Sequence, residues 1–432
     1  MQKLISVRRA EAEAEADARQ LHRDPAEYTN ESKTTNAWLE GALARLLIRA
    51  TGNLPMRVQV GAGPIAVGPG TIVATLRIRD VSALIKLLAY PDLNFGEGYL
   101  DGSIEVEGNL PGLLEAQART RLRARGKGTL KRLAAAALQM TRSNTLAGSR
   151  KNIHHHYDLG NDFYRLWLDR EMVYTCAYFA STDATLEAAQ LAKLDHVCRK
   201  LRLRAGERVV DAGCGWGALA LRAATHYGAK VRAFSLSREQ IAYARERARA
   251  LGVEHSVEFI EDDYRNISGQ VDAFVSIGML EHVGREHYGD LARVIDRSLS
   301  ETGRGLIHSI GQNEAVPLNP WIEKRIFPGA YPPTVREMVE IFEPLRCSIL
   351  DVENLRPHYA LTIEHWLDRF EAHRDRIADM YDEPFVRAWR LYLCGSIAAF
   401  RAGTLQLFQI LFNRTGSNNA VWTRDHLYRN PD

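Results

Sequence analysis

Cysteine is scarce in this sequence and has no regular spacing. The 432 residues contain five, Cys176, Cys198, Cys214, Cys347 and Cys394, with no C-x-x-C pair. An odd, scattered set argues against a disulfide framework and a zinc cluster, and suits a reducing cytoplasm. Long apolar runs are also lacking. No uninterrupted stretch approaches the ~20 residues that span a bilayer, so membrane contact is expected to be peripheral. The opening residues Met-Gln-Lys-Leu-Ile-Ser-Val-Arg-Arg lack the apolar core of a signal peptide, which adds to the cytoplasmic expectation. A dominant charge of one sign is missing as well. The net charge is +3, too small a total to argue for nucleic acid as a partner.

What is present divides the chain. A length of 432 residues suggests more than one domain. Residues 1–117 read as a small α+β domain. Apolar residues recur at helical spacing over 36–50, and alternating stretches at 57–61 and 71–78 read as antiparallel strands. Asp80 caps a helix through Leu88, and a further short strand begins at Ser103. Residues 118–151 form a basic linker. Between Ala116 and Lys151 there is no acid, but there are Arg119, Arg121, Arg123, Arg125, Lys127, Lys131, Arg132, Arg142, Arg150 and Lys151. Such a block is either a solvated segment or a magnet for anionic head groups or nucleic acid phosphates.

Residues 152–432 form the larger domain. From Val209 onward β-branched runs alternate with helical ones. Strands are expected near 209–212, 231–235, 257–260, 273–277 and 305–309, with helices such as 238–251 and 288–299 between them. That order predicts an α/β fold with a doubly wound, mostly parallel sheet, whose ligands bind beyond the carboxyl ends of the strands. The first of these strands runs into Val209-Val-Asp-Ala-Gly-Cys-Gly-Trp-Gly. The spacing is not that of the dinucleotide fingerprint G-x-G-x-x-G. Asp-x-Gly-x-Gly-x-Gly resembles the loop of class I S-adenosylmethionine (SAM)-dependent methyltransferases. That resemblance implies Asp211, Gly213, Cys214, Gly215, Trp216 and Gly217 as cofactor residues. Ser235 and Gln240 after the second strand can bond ribose hydroxyls. Asp263 and Tyr264 after the third can meet the adenine, or simply cap and pack a surface turn.

Further segments are distinctive together. They are His156-Tyr-Asp-Leu-Gly-Asn-Asp-Phe-Tyr, Tyr174-Thr-Cys-Ala-Tyr-Phe, Ser276-Ile-Gly-Met-Leu-Glu-His-Val-Gly, Pro320-Trp-Ile-Glu-Lys-Arg-Ile-Phe-Pro and the stretch from Ala399 to Gln409. With the glycine loop they resemble the cyclopropane-fatty-acyl-phospholipid synthases, over roughly residues 150–415. The first domain is similar to the small lipid-binding domain of bacterial members. The resemblance implies transfer of the SAM methyl to a cis double bond of a phospholipid acyl chain, then ring closure by loss of a proton to a bound bicarbonate. Carried over by motif, Cys176, Glu281, His308, the backbone of Ile310 and Tyr359 would hold that bicarbonate; Tyr174 and Thr175 are candidate SAM-binding residues, and Tyr174 and Cys176, which precede the first strand, could fold over the cofactor. No metal is implied. The partner would be a bilayer with unsaturated acyl chains, met from the cytoplasmic side, and a homodimer is one assembly to consider. A relative of the same chemistry would leave a methylene- or methyl-branched chain. A lipid-transfer protein would not need the glycine loop, and a small-molecule methyltransferase would not need the basic linker.

If the basic segment docks on anionic bilayers, binding should weaken with salt, because each basic side chain near such a surface contributes about 1 kcal/mol. Vesicle sedimentation at low and high salt checks this. Equal binding at both would remove the electrostatic account.

Overall fold

The computed structural model describes residues 25–124, 159–418 and 420–428. Most of the basic segment, from residue 125 on, lies outside the described residues, as do His156 and Tyr157. The chain forms two compact units. One comprises 1–89 and 102–113, and the other 90–101 and 114–432.

The first unit has a helix Pro25–Ala50, strands β1 (Met56–Val60), β2 (Ala66–Val67) and β3 (Ala74–Ile78), a helix Val81–Ala89 and β4 (Ile104–Gly108). Asp80 caps the second helix, its carboxylate accepting from the Ala83 amide at 2.8 Å. The sheet order is β2-β1-β3-β4. β1 and β3 pair in parallel, with Val58 opposite Leu76, whereas the alternation suggested antiparallel neighbours. Alternation sets which side chains are buried but not which way the neighbouring strand runs. Here β2 takes the antiparallel place beside β1 and sends the chain back to start β3 in the same direction.

The helix Pro91–Leu100 interrupts the first unit in sequence but belongs to the second by contact. A Cβ at Gly96 would overlap the Trp321 ring. Glu97 pairs with Lys324 and Arg325, and Arg387 stacks 4.5 Å from the Tyr99 ring centroid. The boundary expected at residue 117 falls within the helix Leu110–Ala124. Arg119 there bonds Glu115 and the Arg401 carbonyl, and Arg121 bonds Asp92. These two arginines of the expected linker are half exposed at the surface but paired with other parts of the chain.

The second unit is built on β5 (Arg208–Ala212), β6 (Lys230–Ser235), β7 (Val257–Glu261), β8 (Val271–Ile277), β9 (Leu299–Gln312), β10 (Cys347–Asn354) and β11 (Leu405–Arg414). Their order is β10-β11-β9-β8-β5-β6-β7. β5 to β9 pair in parallel, and β10 and β11 are antiparallel additions. Both faces are covered, so neighbouring residues pack into different layers. Val209, Ala233, Val275 and Leu306 join the helices Leu186–Leu201, Ala218–Tyr227 and Arg238–Ala250. Val210, Phe234, Phe274 and Ile307 join the helix Tyr288–Ser298. This explains why the strands read as continuous apolar runs. The order reverses between β5 and β8, which opens a crevice at their carboxyl ends. Among the described residues no helix is long and apolar enough to cross a membrane.

Arg304 ties this frame together. Its guanidinium donates to the Leu201 and Arg202 carbonyls at the end of the helix Leu186–Leu201, to the Asp272 carbonyl, and to Glu207 at 2.6 Å. The terminal carbonyls of a helix need such partners. Arg304→Met removes all of them and leaves Glu207 with the Arg204 amide as its remaining donor. It should cost about 3 kcal/mol in denaturant unfolding, and a loss well below 1 kcal/mol would mean these bonds are replaced by water.

Candidate active site

The loop after β5 meets the loop after β8. Gly213 has φ 91°, and a Cβ there would lie 3.0 Å from the Met279 side chain. Gly217 has φ 83°, and a Cβ would lie 2.6 Å from the Phe259 ring and 2.9 Å from Ala244. Only glycine combines that left-handed backbone with so close an approach to the following layer. The amides of Gly213 and Cys214 both donate to the Phe234 carbonyl, at 3.0 and 2.8 Å, which bends the loop across the end of β6. The Trp216 indole donates to Asn161 Oδ1 at 2.7 Å.

Asp211, at the end of β5, is buried, and its Oδ2 has no hydrogen-bond partner. Burial pushes its carboxyl up to about 7, against the opposing charge of Lys193. After β6, the Ser235 hydroxyl donates to Gln240 Oε1 at 2.9 Å, so the two expected ribose residues are joined to each other. After β7, Asp263 is taken up locally. It accepts from the Arg265 amide at 2.9 Å and faces the Arg265 guanidinium at 3.4 Å. The Tyr264 hydroxyl beside it is buried without a partner.

The second group of residues gathers at β8 and β9. Glu281 opens the helix Leu280–Val283 just past β8. Its Oε1 accepts from the Ile310 amide at 2.5 Å, and its Oε2 is buried and unpaired. Burial pushes the carboxyl up to about 7. The Ile310 N–H expected to face a ligand is therefore satisfied by Glu281, as a buried amide beside a carboxyl would be. His308 lies two residues earlier on β9. Its Nδ1 is 3.0 Å from Gln409 Nε2 on the facing strand β11. With that amide donating, the ring proton sits on Nε2, which is buried and unpartnered. Burial holds the imidazole neutral by pushing its pKa well below the usual 6.5.

Cys176 donates its thiol proton to the Ala177 carbonyl at 3.1 Å and approaches the Leu355 carbonyl at 3.9 Å. Burial raises its pKa far above neutrality, so it is a thiol and not a nucleophile. Leu355 immediately precedes the helix Arg356–Ala372, which carries Tyr359. The Tyr359 ring packs 4.6 Å from Phe400 and 6.0 Å from Trp366. From Trp366 a line of rings runs through Tyr174 and Tyr164 to Trp216, at centroid distances of 5.3, 5.6 and 4.9 Å. Thr175 lies against the loop after β8, where a Cβ at Gly278 would be 2.9 Å from its methyl. The segment 174–176 thus forms a strap above the crevice.

Four residues that support this site were not singled out from sequence. Gln409 orients His308. Gln190 Nε2 donates to the Thr175 carbonyl at 2.8 Å, and Lys193 Nζ to Thr175 Oγ1 at 3.1 Å. Asp169 receives the Glu171 and Val173 amides that lead into the strap. Gln190 and Lys193 left a trace in the sequence, polar residues three apart among Leu186, Ala189, Leu194 and Val197. Gln409 left none, because only strand register sets it opposite His308.

Comparison with known proteins places this geometry. Residues 145–410 match the family model described as mycolic acid cyclopropane synthetase. The chain is 37% identical to the cyclopropane-fatty-acyl-phospholipid synthase of Escherichia coli K12 over 356 residues, 81% of this chain and 90% of that one. It is 34% identical to a probable fatty acid methyltransferase of Pseudomonas putida, over 87% of this chain and 97% of that one. Among solved structures, mycolic acid cyclopropane synthase CmaA1 complexed with SAH and CTAB superposes with a TM-score of 0.59 at 30% identity, covering 61% of this chain and 98% of its own.

The Glu281 carboxyl sits near 7 in the fold, against an ordinary 4.5. The fold thus favours its protonated form, and its contribution to stability is lost as pH rises from the unfolded value through about 7. Glu281→Gln, which cannot ionise, should gain on the wild type by up to about 3 kcal/mol between acid and mildly alkaline pH. Parallel unfolding curves across that range check this, and a constant difference would contradict the assigned burial.

Proposed function

The chain belongs to the mycolic acid cyclopropane synthetase family and is a SAM-dependent methyltransferase, and we propose that its acceptor is the cis double bond of an unsaturated phospholipid acyl chain, which it converts to a cyclopropane. The observation that carries this reading is the pair of buried, unpartnered atoms Glu281 Oε2 and His308 Nε2 at the carboxyl ends of adjacent strands. One is a carboxyl oxygen and the other a neutral N–H donor. Together they suit a small anion that carries its own hydroxyl, which is bicarbonate chemistry. The unpaired Asp211 Oδ2 and the glycine loop suit the amino-acid end of SAM.

SAM, when bound, supplies an electrophilic methyl group, and bicarbonate, when bound, supplies a base. Held by Asp211 and the glycine loop, the donor would supply its methyl to the alkene π pair, with the methyl–sulfur bond pair leaving on the thioether. Positive charge remains on the neighbouring chain carbon. Loss of a proton from the added methyl frees its C–H pair to close the ring. The protein's own residues serve these events by position. Asp211 receives the donor's amino group, and Glu281 and His308 hold the anion. The ring faces of Tyr174, Trp366 and Tyr359 exclude water and favour a nearby cation. The lipid acceptor calls for action at a membrane surface, with the chain as a peripheral protein.

Glu281→Gln should keep SAM binding and lose turnover by at least about a hundredfold, the usual worth of a positioned base. Lipid mass spectrometry of an expressing host should show one added carbon and no remaining alkene. Retained alkene would assign a methylene-branched product instead. Wild-type turnover by Glu281→Gln, or indifference of carbonate-depleted enzyme to added bicarbonate, would remove the anion from the reading.

A further inference from the structure

The strap above the crevice continues to Phe179 without regular secondary structure. Ala177 is fully buried and Phe179 nearly so. A buried segment outside any ladder must find other partners for its backbone. Three consecutive amides do so in alternate directions. Ala177 N–H donates to Thr362 Oγ1, Tyr178 N–H to the Ala189 carbonyl and Phe179 N–H to His358 Nδ1, each at 3.0 Å. The middle bond goes to the helix Leu186–Leu201. The outer two go to the helix Arg356–Ala372, onto side chains one turn apart.

Both acceptors are held in place. The buried Thr362 hydroxyl donates to the His358 carbonyl at 2.7 Å, which leaves its oxygen free to accept from Ala177. The rings of His196, Tyr178, His358, Phe179 and His365 lie nearly parallel, at successive centroid distances of 4.3, 4.9, 6.5 and 5.5 Å. Cys176 precedes the first of the three amides, and its thiol approaches the carbonyl of Leu355, just before the same helix. Tyr359 directly follows His358 on that helix. One helix therefore carries Tyr359 and also holds the backbone of the segment that carries Tyr174, Thr175 and Cys176.

We infer that His358 and Thr362 are positioning residues: by accepting the amides of Phe179 and Ala177 they clamp the strap to the helix of Tyr359, and so set Tyr174, Thr175 and Cys176 over the crevice. The inference rests on the reading of Tyr174 and Thr175 as SAM residues. The two acceptors differ in one respect. Thr362 does not titrate, whereas a protonated imidazole has no acceptor to offer. Burial lowers the His358 pKa below the usual 6.5, with His196 adding to the effect and Glu353 on β10 opposing it. His196 itself bonds Glu353 at 2.8 Å. Tyr178 and His365 are the other titratable rings of the stack. The Phe179 bond is therefore kept at neutral pH and lost on acidification.

The test reads amide hydrogen exchange at 177 and 179, and SAM affinity by calorimetry, in the full-length, ligand-free protein. His358→Phe keeps a flat ring without an acceptor, and Thr362→Val keeps the shape without the hydroxyl. Each should lose protection at its own amide and bind SAM about tenfold more weakly, equivalent to the ~1.4 kcal/mol of one buried hydrogen bond. His358→Asn, whose Oδ1 can stand in for Nδ1, and Thr362→Ser should restore both readouts. In the wild type, protection at Phe179, corrected for intrinsic exchange, should fall from about pH 7 to about pH 5. In His358→Asn it should not. Unchanged protection in His358→Phe and Thr362→Val, or in the wild type across that pH range, overturns the clamp. Lost protection with wild-type SAM affinity in both variants overturns the positioning role and leaves the SAM reading standing. Wild-type SAM affinity in Tyr174→Ala overturns that reading and the inference with it.

Discussion

Burying charge without water is the constraint on which the rest of the second unit depends. The helix Leu186–Leu201 brings an amide, two ammonium groups and an imidazole into the protein on one face. Each must be answered by something that folds onto it. Glu353 on β10 answers two of them, and His196 and Lys200 in turn hold that carboxylate at about 2, far below its usual range. The strap 174–176 answers the other two with a carbonyl and a hydroxyl. The antiparallel edge of the sheet and the cover of the crevice are therefore both anchored on one helix. Arg304 fixes the end of that helix to the centre of the sheet.

The same desolvation sets the chemistry of the crevice. Asp169, Asp211 and Glu281 are all moved up toward neutrality, to about 6, 7 and 7. His308 is moved the other way and stays uncharged. A site of this kind holds few permanent charges of its own and has strong interactions available for ligands that bring theirs. In the proposed reaction both the donor and the anion are such ligands. The line of rings from Trp216 to Tyr359 keeps water from competing with them, while offering negative ring faces to a transient cation.

Glycine has two different roles in the second unit. At Gly213 and Gly217 it permits a left-handed backbone pressed against Met279 and Phe259. At Gly96 it removes a side chain so that the helix Pro91–Leu100 can lie against Trp321. The loop glycines are visible as a motif at the end of an apolar strand. Gly96 resembles any glycine in a turn-rich stretch, which is why Pro91–Leu100 reads from sequence as part of the first unit.

The sequence by itself determined the class of fold and the edge of the sheet at which a ligand crevice opens. Apolar strands alternating with amphipathic helices have few ways to pack, and residues at the ends of parallel strands must share one edge. The family resemblance singled out Asp211, Glu281 and His308, and the fold sets them on β5, just past β8 and on β9. Only the tertiary structure decided the direction of β3 beside β1, the addition of β10 and β11, and the partners of the site. Gln409 reaches His308 through strand register, Ile310 gives its amide to Glu281, and Lys193 reaches the Thr175 hydroxyl from a helix that packs against β9. Periodicity encodes which face of an element is buried. It does not encode which other element covers that face, and a buried polar group has a function only once that neighbour is known.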